Sequence, residues 1–275
     1  MLPDEPARTV EATRMLFPES KRVVYQKNPL TEVICQLRFP TVLEIRSEPP
    51  WEFQNKIRSA YPIYSKKDQT ELLPNEVTQM LKSVRVSLPT PIAHTFSQEN
   101  PKRFITLSED FLAISNNDYR RWEEYRTEII RAKEALETVY SPAFYSRVGL
   151  RYVNTIEKRS LDLAEEPWDK LVNPALAGLL AASNVRGYVH ETRTEAVIRL
   201  PGLLGGFVTL RHGLVRGGDD QPDTYRIDLD CFTQERSDGE HVTENLDTFN
   251  RLIGNLFRWA TSLRLHEALQ PMDID

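Results

Sequence analysis

Arginine is the residue type in this chain with the clearest capacity for binding chemistry, with 25 arginines against 10 lysines. The guanidinium carries five donors in a planar fork, which matches the oxygens of a phosphate or a carboxylate. Six arginines alternate with apolar residues in segments whose pattern predicts β-strands, so they share one sheet face. These are Arg38, Arg85, Arg151, Arg199, Arg211 and Arg226. The pattern predicts a surface for an anionic ligand or an acidic partner protein.

The same predicted face, which we call the arginine face, also carries Gln36, Asp228 and Asp230. Cross-strand pairs between arginines and carboxylates also occur simply to keep a wet sheet face soluble. Each such pair contributes less than about 1 kcal/mol. The sequence leaves both interpretations open, a binding surface and a solvated face.

The pair Asp228 and Asp230 also raises the alternative of a metal-dependent phosphodiesterase, because two carboxylates on one strand face can hold a divalent cation. Such a site needs further carboxylates or a lysine nearby, and none has the expected spacing. We therefore predict a salt-bridged strand and no metal site.

Motifs of the common enzyme classes are absent from the sequence. The five histidines are scattered without metal-ligand spacing, and there is no nucleophile elbow, phosphate-binding loop or dinucleotide-binding turn. We predict that the protein has no catalytic residues and no cofactor.

Composition predicts an ordinary globular protein, with 40% hydrophobic and 27% charged residues and a net charge of −5. The acidic balance argues against indiscriminate nucleic-acid binding. No apolar run has the length of a membrane span, and no secretory signal opens the chain, which predicts a cytoplasmic protein without a membrane partner. Cys35 and Cys231 lie in apolar runs and are predicted to be reduced core residues.

The chain also repeats itself, because the strand-like run 33–39 returns at 147–153 with a Leu-Arg-aromatic sequence in both. Each run is followed by a helix-like stretch after Pro-Trp, several alternating strands and a long amphipathic helix. We predict a flexible arm at 1–24 and two tandem β-α-β-β-β-α units at 25–142 and 143–275. The fold class is α+β, a largely antiparallel sheet covered by helices on one face, by analogy with the saddle of the TATA-binding protein.

Hydrophobic spacing places the elements of both units. Strands are predicted at 80–88, 92–98, 103–115, 185–200, 206–214 and 224–234, with hairpin turns at 100–101 and 109–110, and a loop at 65–76. Helices are predicted at about 118–139, 167–182 and 243–269. On the last helix, Arg251, Asn255, Arg258 and Ser262 share a polar side.

Two motifs, Asn-Pro-Leu-Thr-Glu-Val-Ile-Cys-Gln-Leu-Arg-Phe at 28–39 and Arg-Val-Gly-Leu-Arg-Tyr-Val-Asn at 147–154, resemble those of a sporadically distributed bacterial family of about this length. Tyr119, Trp122 and Tyr125 between them strengthen the resemblance. The family has no assigned activity, so the resemblance implies no catalytic residues. Its patchy distribution implies an accessory system such as defence or toxin–antitoxin.

These patterns together predict a non-enzymatic binding or adaptor protein that engages a partner protein or an anionic ligand, through the arginine face or the cleft between the two units. The first alternative is a nucleic-acid-binding saddle, in which the arginines contact phosphates. The second is the phosphodiesterase that would use Asp228 and Asp230.

Overall fold

The computed structural model describes residues 16–68, 92–217 and 222–274. Its strands are β1 Val23–Tyr25, β2 Leu30–Arg38, β3 Ile63–Asp68, β4 Ile92–Ser97, β5 Arg103–Ser108, β6 Phe111–Asn116, β7 Arg147–Glu157, β8 Thr194–Arg199, β9 Gly206–Val215, β10 Thr224–Thr233 and β11 Pro271–Asp273. Its α-helices are α1 Leu43–Ser47, α2 Trp51–Ile57, α3 Trp122–Tyr140, α4 Pro174–Ala177, α5 Gly239–Ala260 and α6 Leu263–Ala268. None of these helices has the length and hydrophobicity needed to cross a membrane.

Nine strands form one antiparallel sheet in the order β3-β4-β5-β6-β2-β7-β10-β9-β8. The strands β2 and β7, which carry the repeated Leu-Arg-aromatic sequence, pair at its centre, with Gln36 opposite Gly149. From β2 outward the order is β6, β5, β4, and from β7 outward it is β10, β9, β8. The first strand of each half therefore neighbours its last strand. The tandem duplication itself remains a prediction.

Helices pack on one face of the sheet, which confirms the predicted α+β class. Alternate residues of β2 and β7 point into this core, and Cys35 and Leu150 are fully buried there. The long helices α3 and α5 supply the other side of the core, with Ile129 and Phe249 among their buried residues. Both cysteines are buried and free, as predicted.

The elements differ from the prediction in the second half. The helix expected over 167–182 is α4 between short 3₁₀ turns, because Asn173 caps the chain at Ala175 and Gly178 adopts a positive φ of 49°. The strand expected over 185–200 is confined to 194–199. The closing helix ends at Ala260, since Ser262 caps a new helix, and Leu263 is exposed as a result.

In the first half, the loop expected from residue 65 is strand β3 as far as residue 68. The strand predicted at 80–88 lies outside the described residues. Residues 16–24, part of the predicted arm, contact the second half of the chain: Phe17 is buried beside Trp259, and β1 pairs with β11.

One side chain of α3 inserts its hydroxyl into the sheet. Tyr125 accepts a hydrogen bond from the backbone N–H of Cys35 at 2.7 Å and donates to the carbonyl of Ile114 at 2.6 Å. Cys35 and Ile114 are opposite each other on β2 and β6. The hydroxyl therefore bridges two backbone groups in the core and ties the helix to the sheet.

We expect Tyr125→Phe to lower the free energy of unfolding by about 2 kcal/mol, because a buried amide and a buried carbonyl both lose their partner. Urea denaturation measures this loss. The matched control is Tyr140→Phe on the same helix, whose hydroxyl makes no hydrogen bond to the described residues. Its change should stay within about 0.5 kcal/mol. Equal stabilities of the two variants would contradict the bridging role of Tyr125.

Candidate functional site

The arginine face contains a cross-strand network in which most charges are already paired. Arg151 on β7 donates to both carboxylate oxygens of Asp228 on β10, at 2.8 and 2.6 Å. Asp228 is only 3% exposed. Arg211 on β9 donates to Glu195 at 2.6 Å and lies 4.0 Å from Asp228. These predicted residues therefore meet at one place, as internal ion pairs.

Arg147 belongs to the same network, although it was not among the predicted site residues. It donates to both oxygens of Asp230 at 3.1 Å and to the side-chain oxygen of Gln36 at 3.0 Å. Its guanidinium also lies 4.7 Å from the ring centre of Phe232. Arg147 lies four residues before Arg151, so both side chains are on the same face of the strand. This even spacing is the signal by which the sequence could have identified Arg147.

The other predicted arginines have no part in these pairs. Arg38, Arg199 and Arg226 are exposed, and none has an ion pair with a residue that the structure describes. Arg85 lies outside the described residues. The network thus joins Gln36, Asp228, Asp230, Arg151 and Arg211, and it leaves the other three arginines in solvent.

The two aspartates of the alternative metal site are both engaged by arginine in two-point contacts. A cation would have to displace a guanidinium from each. The described part of the chain holds no group of three or more His, Cys, Asp or Glu residues that could bind a metal ion.

A cavity of about 390 Å³ lies on the opposite side of the sheet, among the helices. We call it the helix-side cavity. Its walls come from residues 20–25, 28–30 and 119–122, from Tyr152 and Asn154 of β7, from Ile274, and from eight residues of α5 between positions 247 and 258. It lies where the helices of the two halves meet, and the sequence did not predict it.

The charge of this lining is strongly one-sided. Six cationic side chains line the cavity with a single carboxylate, Asp247, although the whole chain has a net charge of −5. The cations are Lys21, Arg22, Arg120, Arg121, Arg251 and Arg258. Asp247 is held by the indole N–H of Trp122 at 2.7 Å and by Arg126 at 3.0 Å.

Two of the cavity arginines have no carboxylate partner among the described residues. Arg258 donates only to the carbonyl of Thr261, at 2.9 Å, and Arg251 is exposed. In contrast, Arg22 and Arg121 share Glu123, Lys21 pairs with Asp273 and Arg120 pairs with Asp118. The α5 side of the cavity therefore offers unneutralised guanidinium groups, which is an arrangement suited to an anion.

Aromatic side chains form the rest of the wall and add no negative charge. Burial raises the pKa of Tyr25 and Tyr119 to about 12, and it raises the pKa of Tyr152 as well. All three phenols are therefore neutral near pH 7. The Tyr152 hydroxyl lies 3.0 Å from that of Tyr119 and 2.9 Å from the side-chain oxygen of Asn250.

Asn255 is a lining residue with one buried donor that has no partner among the described residues. Its side-chain oxygen accepts from the backbone N–H of Ser20 at 3.0 Å, and this contact fixes the orientation of the amide, because an N–H can only donate. The side-chain nitrogen is buried and has no hydrogen-bond partner. Gly254 directly precedes Asn255 and also lines the cavity, and a Cβ added at Gly254 would meet nothing within 4 Å.

A scan against protein-family models gives no match for this chain, and a search of the curated proteins gives none either. The resemblance to the bacterial family remains a prediction.

We expect Arg151→Ala to lower the free energy of unfolding by about 2 kcal/mol. It leaves the buried Asp228 carboxylate without its two-point partner, and the loss is below the ~3–5 kcal/mol of a fully buried pair because the Arg151 side chain is 33% exposed. Arg38→Ala is the matched control, since Arg38 stands at the same place in the other Leu-Arg-aromatic sequence but is exposed. Urea denaturation should show a change within about 0.5 kcal/mol for it. A neutral effect of Arg151→Ala would mean that this ion pair is not structural.

Proposed function

We propose that this protein is a non-enzymatic binding protein that holds an anionic ligand in the helix-side cavity. The observation that carries the proposal is the lining of six cations against one carboxylate in an acidic chain. Four of the six cations have carboxylate partners nearby, so the gain comes from Arg251 and Arg258, which have none among the described residues. A ligand that brings negative charge neutralises these two guanidinium groups, and no neutral ligand provides this gain.

The arginine face is the weaker candidate for the same role. Its arginines Arg147, Arg151 and Arg211 already contact carboxylates, so an incoming anion must compete with them. Arg251 and Arg258 in the cavity have no such competitor among the described residues. An anion should therefore bind more tightly in the cavity than on the arginine face.

The chemistry of the wall indicates the class of ligand. Tyr25, Tyr119, Trp122 and Tyr152 offer ring faces and edges, and asparagine amides supply neutral donors and acceptors. A volume of about 390 Å³ lies in the range of small-molecule sites. We infer a ligand with a planar apolar body and a phosphate, sulfonate or carboxylate group.

The wider setting of the protein rests on the resemblance and on the cysteines. Two buried, free thiols suit a reducing cytoplasm. The resemblance supports an accessory bacterial system such as defence, in which an adaptor would pass its bound state to a partner protein. The exposed Arg38 and Arg226 remain available for such a partner.

Binding of 8-anilinonaphthalene-1-sulfonate, an aromatic sulfonate whose fluorescence rises on binding, tests the proposal. We expect the double variant Arg251→Ala/Arg258→Ala to weaken binding at least about tenfold, because charge-assisted contacts are lost. Arg226→Ala is the control that removes an exposed arginine elsewhere. The uncharged analogue N-phenyl-1-naphthylamine should be insensitive to the double variant.

A second arm fills the cavity without removing charge. Gly254→Leu places a side chain in the open space beside Asn255 and raises helix propensity, so the fold is retained while the sulfonate is excluded. Gly187→Leu is the matched control, since an added Cβ there also meets nothing within 4 Å but lies far along the chain from the cavity lining. Equal sulfonate binding by all four variants and the wild type would overturn the proposal.

A further inference from the structure

Strand β8 is an exposed edge of the nine-stranded sheet. It stands at the end of the strand order, and β9 is its only partner among the described strands. Val197 at its middle is 60% exposed, and Glu195 and Arg199 on either side of it are exposed as well. An edge of this kind presents unpaired backbone groups to any strand that can align with it.

The hydrogen-bond parity of β8 shows which residues point outward. Just beyond its two ends, Leu200 donates to Gly206 at 2.9 Å and Thr192 donates to Leu214 at 3.0 Å. The register between 194 and 199 is unbroken, so the even-numbered residues bond to β9. The odd-numbered residues Glu195, Val197 and Arg199 therefore turn their N–H and C=O groups away from the sheet.

The side chains of these three residues are self-complementary. In a strand they share one face, with an acid at one end, a β-branched residue in the middle and a base at the other end. Arg199 has no ion pair with the described residues. Glu195 has an ion pair with Arg211 of the neighbouring strand β9. An antiparallel copy of the same strand thus presents a base to each acid.

We propose that two copies of this chain pair through β8 in an antiparallel, two-fold arrangement centred on Val197. Val197 then lies opposite Val197 of the partner subunit, and Glu195 lies opposite Arg199 of the partner subunit. The outward-facing groups form about six backbone hydrogen bonds across the axis. The two sheets become one continuous antiparallel sheet.

The charges select this register over its neighbours. The nearest two-fold shifts that keep the hydrogen-bond parity move the axis to Ala196 or to Ile198. Glu195 then lies opposite Val197 or Pro201 of the partner subunit, so the pairs of unlike charges are lost. Only the axis at Val197 sets both charged positions opposite unlike ones. At the other end of the described strand order, β3 carries the exposed Lys66, a residue type that protects edges against pairing.

Apolar side chains beside β8 extend the contact. Leu204, in the turn after the strand, is 77% exposed, and Tyr188, in the turn before it, is 89% exposed. The antiparallel register brings the turn after β8 of one copy toward the segment before β8 of the other. Leu204 and the partner's Tyr188 are then neighbours, which adds apolar area to the strand pairing.

Sedimentation velocity on the full chain tests this proposal. We expect the wild type to sediment as a dimer of the 31.8 kDa chain at roughly 100 μM. The variant Arg199→Glu sets a glutamate opposite Glu195 of the partner subunit at two symmetry-related places in the dimer. The dissociation constant of the dimer should therefore rise at least about tenfold. Arg226→Glu is the matched control, because Arg226 is an exposed residue of the arginine face on β10, and this variant should remain dimeric.

Heterodimer rescue separates this pairing from a general loss of fold. Glu195→Arg alone should also be monomeric, since two arginines face each other across the axis. A mixture of Arg199→Glu with Glu195→Arg restores unlike charges at both positions and should give a heterodimer by native mass spectrometry. A monomeric wild type, a dimeric Arg199→Glu variant or a mixture that stays monomeric would overturn the proposal.

Discussion

The pairing of β2 with β7 is the interaction on which the rest of the structure depends. It joins the two halves of the chain at the middle of the sheet, where Gln36 lies opposite Gly149. One face of this strand pair carries the arginine network. The other face carries the apolar core and, at the ends of the strands near Leu30 and Tyr152, part of the cavity wall. Both charged regions therefore take their positions from one backbone register.

The two regions differ in how their cations are neutralised. On the arginine face, carboxylates on β10 and β8 lie within hydrogen-bond distance of Arg147, Arg151 and Arg211. These three arginines are therefore neutralised by internal ion pairs. In the helix-side cavity, the carboxylates are outnumbered, and burial keeps the neighbouring phenols neutral. The local imbalance of charge, more than the number of arginines, identifies the better anion site.

Side-chain alternation was sufficient to predict the sheet faces and the α+β class, because the two faces of a strand follow directly from parity. Helical spacing placed Arg251, Asn255, Arg258 and Ser262 on one polar side of the closing helix, but Asn255 is buried and Ser262 lies beyond the end of that helix. The cavity beside them was beyond such patterns, since it depends on contacts such as that between Ser20 and Asn255, 235 residues apart. Local chemistry also overrode hydrophobic spacing at 167–182, where Asn173 and Gly178 interrupt the helix.

Hydrogen–deuterium exchange with and without saturating 8-anilinonaphthalene-1-sulfonate locates the bound anion along the chain. If the anion occupies the helix-side cavity, exchange should slow in the segments 20–30, 119–122 and 247–258, which contribute its lining, and should stay unchanged in β9 and β10. Protection confined to β9 and β10, or no protection in α5, would show that the anion binds on the arginine face or elsewhere and not in the cavity.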